Sequence, residues 1–147
     1  MTLADWSKNG WLGEHKTTPA EIADLLAIVD PGLSDCRVRG LSPGWRLNVA
    51  YNAALQASTA ASAACGYRAP RDAHHFRTIQ SLSLTIGADS SLVRQFDSFR
   101  KKRNTGGYER SGTVSEQEAA EMVELAERIR KDVMDWLQFN HPQLFKK

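Results

Sequence analysis

The stretch that decides the fold is SPGWRLNVAYNAALQASTAASAACG, residues 42–66. Ser42 followed by Pro43 is a helix start signal. A serine oxygen accepts from the free N–H groups of a first turn, and proline at the first helical position loses nothing, because that N–H has no intrahelical partner. No strong breaker stands before Gly66, so the spacing predicts a helix of about 23 residues, roughly 34 Å long at about 1.5 Å per residue. Alanine occupies positions 50, 53, 54, 57, 60, 61, 63 and 64. Small side chains on several faces let neighbouring helices approach closely, which makes this the expected centre of a bundle and a candidate subunit contact. Alanine is also simply the best helix former. Both readings require the helix.

Working outward, Thr18-Pro19-Ala20-Glu21 repeats the start signal as a capping box with proline at the first position. Ile22, Leu25, Leu26 and Val29 supply its stripe, so a short helix to about Asp30 is expected, ended by Pro31-Gly32. Residues 1–17 hold Trp6 and Trp11 among Gly, Asn and Lys. They read as an arm that packs by its indoles without regular structure, with an aromatic binding platform as the sharper reading. Downstream, Asp72 is the expected cap of a third helix to Ile86, with Ile79, Leu82 and Ile86 inward and Gly87 closing it. Asp89-Ser90 opens a fourth helix carrying Leu92, Val93, Phe96 and Phe99. Ser115 and Glu118 form a second capping box for a fifth, running to about Gln138 with Ala119, Met122, Ala126, Ile129, Val133 and Trp136 on its buried face, and Pro142 ends it. No alternating stretch or internal repeat is present. The expected fold class is therefore all-α, an up-and-down bundle of four main helices and a short leading one over residues 18–140. The arm 1–17 precedes it and a loose tail, 141–147, follows.

A chain of 147 residues, 41% apolar and 24% charged, suits one domain with a real core. Its net charge of only +2 argues against a protein coated in nucleic acid. A local basic site stays open, because Arg94, Arg100, Lys101, Lys102, Arg103 and Arg110 lie within seventeen residues. Met1 to His15 contains Asp5, Lys8 and Glu14 and no apolar run of signal-peptide length, and no stretch is apolar enough to span a membrane. The expected location is the cytoplasm. Cys36 and Cys65 lack paired spacing and read as reduced thiols.

Chemistry points to the end of the fourth helix, Phe96 to Tyr108. Val93, Phe96, Arg100 and Arg103 fall at i, i+3, i+7 and i+10, so an apolar stripe runs without changing face into two arginines. Either their heads emerge solvated, with Asp97 pairing Arg100 and Lys101 along an exposed helix, or they line a groove that wants an anion. Asn104-Thr105-Gly106-Gly107 is the expected helix stop and delivers Tyr108 beside the cations. No nucleophile elbow, P-loop, dinucleotide fingerprint or spaced carboxylate cluster is present. His74 and His75 are neighbours, pointing about 100° apart on a helix, so they do not chelate one metal; no metal or other cofactor is expected. A histidine reaching the Arg100/Arg103 groove as acid, base or phosphate donor is the other reading of that pair. Glu116, Glu118, Glu121, Glu124 and Glu127 read as a solvated face that pairs with Arg128, Arg130 and Lys131.

Leu41-Ser42-Pro43-Gly44-Trp45-Arg46, Ala50-Tyr51-Asn52-Ala53-Ala54-Leu55, Gly66-Tyr67-Arg68, the segment His75 to Leu82, and Arg100-Lys101-Lys102-Arg103-Asn104 ending in Tyr108 together resemble the HEPN superfamily, nearest its branch of bacterial stand-alone proteins. The resemblance covers roughly residues 18–138. It implies a helical bundle that pairs as a homodimer whose basic helix ends share one cleft. It further implies a metal-independent endoribonuclease of toxin–antitoxin or defence systems, partnered by a nucleotidyltransferase antitoxin. By this likeness Arg100, Lys101, Arg103 and Asn104 contact RNA or nucleotide phosphate, and Arg103, Tyr108 and His75 are the catalytic candidates. Active members carry a histidine a short spacer after the arginine. Here Tyr108 holds that place, and a phenol with an ordinary pKa near 10 is a poor base at neutral pH. Tyr108 as an acceptor of transferred nucleotide is the alternative role. A function from another class also fits the residues, that of a catalytically silent dimeric helical adaptor for a protein partner.

Overall fold

The computed structural model describes residues 1–71, 73–106 and 114–144, with backbone alone for 104–106. The chain is mostly helical and carries one small sheet. Helix α4 (Pro43–Ala64) is its axis, capped by Ser42, whose hydroxyl accepts from the Trp45 amide. From Ala57 to Ala64 every residue is buried, and all eight alanines lie in the core of this one chain. Small side chains allow α2 (Pro19–Leu26), α3 (Val29–Asp35), α5 (His74–Gln80), α6 (Ser90–Gly106) and α7 (Glu116–Asn140) to pack directly on it. The hydroxyls of Ser58, Thr59 and Ser62 bond back to carbonyls of α4 itself, so burial leaves none of them unpaired.

Several elements differ from the sequence expectation. The arm is ordered into helix α1 (Leu3–Lys8), closed by a reciprocal capping box between Thr2 and Asp5. It continues into strand β1 (Gly13–Glu14), which pairs antiparallel with β2 (Tyr67–Arg68), so the all-α expectation misses a two-stranded sheet. The reversal before β2 needs the positive φ of Gly66, +90°. Pro31 and Gly32 do not end a helix; they lie inside α3. Pro31 sits in its first turn, where the missing N–H has no intrahelical acceptor to lose. Gly32 lets α3 approach α4: a Cβ there would stand 3.5 Å from that of Ala53. The third helix stops at Gln80 and gives way to a 3-10 turn, Ser81–Ser83, instead of continuing to Ile86. Ser81, Ser83 and Thr85 each turn their hydroxyls onto nearby carbonyls, competing with the helical ladder. Asp72, its expected cap, lies outside the described residues.

Polar pairs lock the periphery. Thr18 caps α2 as expected, but the Glu21 carboxylate does not return to it; it binds His15 and Arg68, each at 2.8 Å, tying the arm and β2 to α2. Burial alone raises the Glu21 carboxyl, and those two bonds outweigh it and hold the pKa below its ordinary value. The acidic face of α7 is not paired within the helix as expected. Glu116 binds Arg46, Glu118 binds Lys102, and Glu127 binds Arg37, so these carboxylates bridge helices. Arg130 likewise reaches Asp30 of α3, whereas Arg128 and Lys131 find aspartates. No described helix is long and apolar enough to cross a membrane.

Candidate anion-binding site

Asp89 precedes helix α6 and caps it, its carboxylate accepting from the Leu92 amide at 2.8 Å. Leu92, Val93, Phe96 and Phe99 bury one face, and that anchoring fixes where the basic residues further along must point. Asp97, Arg100 and Arg103 follow at spacings of three on an adjoining stripe. Neither guanidinium extends into bulk water; both fold back onto the bundle.

Arg103 donates through Nε to Oδ1 of Asn48 at 2.6 Å, and its head lies over the Tyr51 ring, 5.1 Å from the centroid. Asn48 and Tyr51 are one turn apart on α4. The Tyr51 hydroxyl in turn lies 2.9 Å from Nδ1 of His75 on α5. Four side chains from three helices therefore form a row: Asn48, Arg103, Tyr51, His75. Phe96 closes the far edge of the Tyr51 ring in a T-shaped contact. Arg100 is held otherwise, donating through Nε to Asp97 at 2.6 Å and lying 5.3 Å from the Phe76 centroid. Asp97 is only 8% exposed, and Lys101 stands 3.6 Å from its other oxygen.

The electrostatics set Arg103 apart from every other half-buried cation of the described residues except Arg77. Among the described residues, the half-buried cations Arg46, Arg68, Arg100, Lys102 and Arg130 each have a carboxylate within ion-pair distance. Arg103 has none, and its terminal nitrogens meet no acceptor among those residues. His75 does not compensate by adding charge. Burial first, then the nearby Arg103, His74 and Arg100, lower its pKa below the ordinary value, so it is neutral at neutral pH. Burial likewise pushes the Tyr51 phenol up to about 12, so it stays protonated. A fixed guanidinium with open donors beside a neutral imidazole offers a phosphate two or more hydrogen bonds and offers a departing proton a base.

Of the residues singled out in the sequence, Arg100, Arg103 and His75 are brought together. Lys101 is exposed on the Asp97 side. The Asn104 side chain and Tyr108 lie outside the described residues. Asn48, Tyr51 and Phe76 are not among the site residues expected from the sequence, although Tyr51 and Phe76 lie in the segments that carry the resemblance; the available signal was Asn48 and Tyr51 at i, i+3 on one helix. Among the described residues no three His, Cys, Asp or Glu side chains gather as a metal site. Two surface hollows, of about 340 and 400 Å³, lie elsewhere, one beside Asp30, Arg37 and Arg130 and one beside His15, Cys65 and Tyr67. No family model, no curated protein and no solved structure matches the chain.

Proposed function

We propose that this protein binds the phosphates of RNA or of a nucleotide through Arg103, with Arg100 and His75 beside it, at the end of a HEPN-like up-and-down bundle. One observation carries the reading: a half-buried guanidinium, oriented by Asn48 and Tyr51, has no carboxylate to neutralise it among the described residues. A partly desolvated cation is costly unless something anionic completes it. Phosphate matches the guanidinium fork bidentately, and the half-buried Phe76 ring favours a ligand that also carries bases. The resemblance noted in the sequence supports the same assignment and extends it to a homodimer and a nucleotidyltransferase partner.

Such a site also supports metal-independent cleavage. The ribose 2′-hydroxyl attacks the adjacent phosphorus, its proton passes to the neutral His75, and Arg103 stabilises the charge that builds on the phosphoryl oxygens. The bond to the 5′ oxygen breaks as the new bond to the 2′ oxygen forms, and the leaving oxygen takes up a proton.

The test is fluorescence anisotropy with a labelled single-stranded RNA, beside incubation of purified protein with total RNA. Wild type binds, and Arg103→Ala weakens binding at least about 10-fold, the loss of roughly 1.4 kcal/mol expected of one charged phosphate contact. Cleavage disappears in Arg103→Ala and in His75→Ala, while His75→Ala still binds. Equal binding by Arg103→Ala refutes the reading and leaves the adaptor function as the better account.

A further inference from the structure

Arg103 shares its lack of a carboxylate with one other half-buried cation among the described residues, Arg77 of α5. Unlike Arg103, which donates to Asn48, the Arg77 side chain makes no hydrogen bond to those residues. It is nevertheless held firmly by flat groups. Its guanidinium lies 4.4 Å from the Trp11 ring centroid, 6.0 Å from that of Trp6 and 5.1 Å from that of Phe76. Trp6 and Trp11 brace each other edge to face at 5.7 Å. Phe76 is also the ring against which Arg100 lies, at 5.3 Å.

The Phe76 ring is shared by Arg100, one turn from Arg103 on α6, and by Arg77, which leads on to the indoles of the arm, so these groups form one line. Cations and π-faces alternate along it. That alternation suits a single strand, whose phosphates take guanidinium forks while its bases stack on rings or guanidinium planes. A duplex hides its base faces and has no use for the rings.

We infer that Arg77, clamped on Trp11, is a second phosphate station, so that the ligand is a single-stranded polynucleotide running across α5 from Arg103 to the arm. This rests on the proposed function and extends it from one phosphate to a track. A purely structural Arg77 would only dock the arm, and the two roles part in experiment.

Full-length wild type, Arg77→Ala, Arg77→Gln and Arg103→Ala are compared for binding to a labelled RNA single strand of about 12 nucleotides, to one of about 3, and to a duplex of the longer sequence, across a salt series. Arg77→Gln keeps a long side chain over Trp11 without the charge, and circular dichroism confirms that each variant is folded. The expected result is that both Arg77 variants bind the long strand about 10-fold more weakly, with a salt slope shallower by about 0.7. Their binding to the short strand stays within about 2-fold of wild type, whereas Arg103→Ala loses both strands. If Arg77→Gln binds the long strand like wild type while Arg103→Ala fails, the track is wrong and the Arg103 site stands. Equal losses on both strands, or preference for the duplex, also overturn the track. If wild type binds none of the RNAs, the proposed function falls and the track falls with it.

Discussion

The hydroxyl of Tyr51 meets Nδ1 of His75 at 2.9 Å, joining the central helix α4 to the first turn of α5. Both groups are neutral at pH 7, because burial leads in raising the phenol to about 12 and in lowering the imidazole. Which of them donates follows the histidine tautomer.

That pair has a pH signature. His75 faces Arg103 and Arg100 of α6 and His74 of its own helix, all of which oppose its protonation. Its folded pKa lies below the ordinary 6.5, so the unfolded chain takes up the proton more readily. Stability is therefore flat above about pH 6.5, falls as pH drops below that value, and levels off beneath the folded pKa. His141, also lowered by burial, contributes with the same sign. His75→Gln should shallow the fall without abolishing it, read from urea midpoints between about pH 7.5 and pH 5. A steeper fall in the variant would contradict the assignment.

Asn48→Ala removes the acceptor that orients Arg103. Because water still reaches this guanidinium, the stability loss should be modest, about 1 kcal/mol. RNA affinity should drop about 3- to 10-fold, since an unoriented fork loses part of its bidentate grip. Unchanged affinity would mean that Asn48 does not position the arginine.

Asp97 occupies Arg100 as an internal anion. Asp97→Asn releases that charge, so RNA should bind more tightly and the salt slope should steepen by about 0.7, one further phosphate contact on a single strand. The variant should also unfold at lower temperature, because a nearly buried carboxylate is lost from two cations. A shallower slope would argue that Asp97 serves RNA binding in some other way.

Ala57→Leu tests the packing of α4. Ala57 is fully buried, and added methylenes force its neighbours apart, at a cost of about 1–3 kcal/mol. Thermal unfolding several degrees lower is the expected readout, and an unchanged melting temperature would mean the core holds unrecognised space.

Local chemistry made much of the fold legible. Ser42 with Pro43, Asp89, and Ser115 with Glu118 each declared a helix start that the structure contains. The same grammar stands at Thr2 and Asp5, but two tryptophans in a glycine-containing arm point to irregular chain and mask it. Pro31 misled for a positional reason: proline stops a helix from within but is at home in its first turn. At the site, Arg100, Arg103 and His75 could be named from periodicity and resemblance. Their supports could not. Asn48 stands 55 residues from Arg103, and no local pattern announces a hydrogen bond across that separation. The β1–β2 pairing was equally hidden, since two-residue strands are too short to show alternation.

Asn48 and Tyr51 belong to the same rod of small side chains on which every other major helix leans. The parts of a protein held by the most contacts open last, so the floor beneath Arg103 should be among the slowest regions to exchange its amide protons. The Trp11 side depends instead on a six-residue helix and a two-residue strand. On gradual warming the molecule should therefore let go of its rim while the seat of Arg103 is still in place.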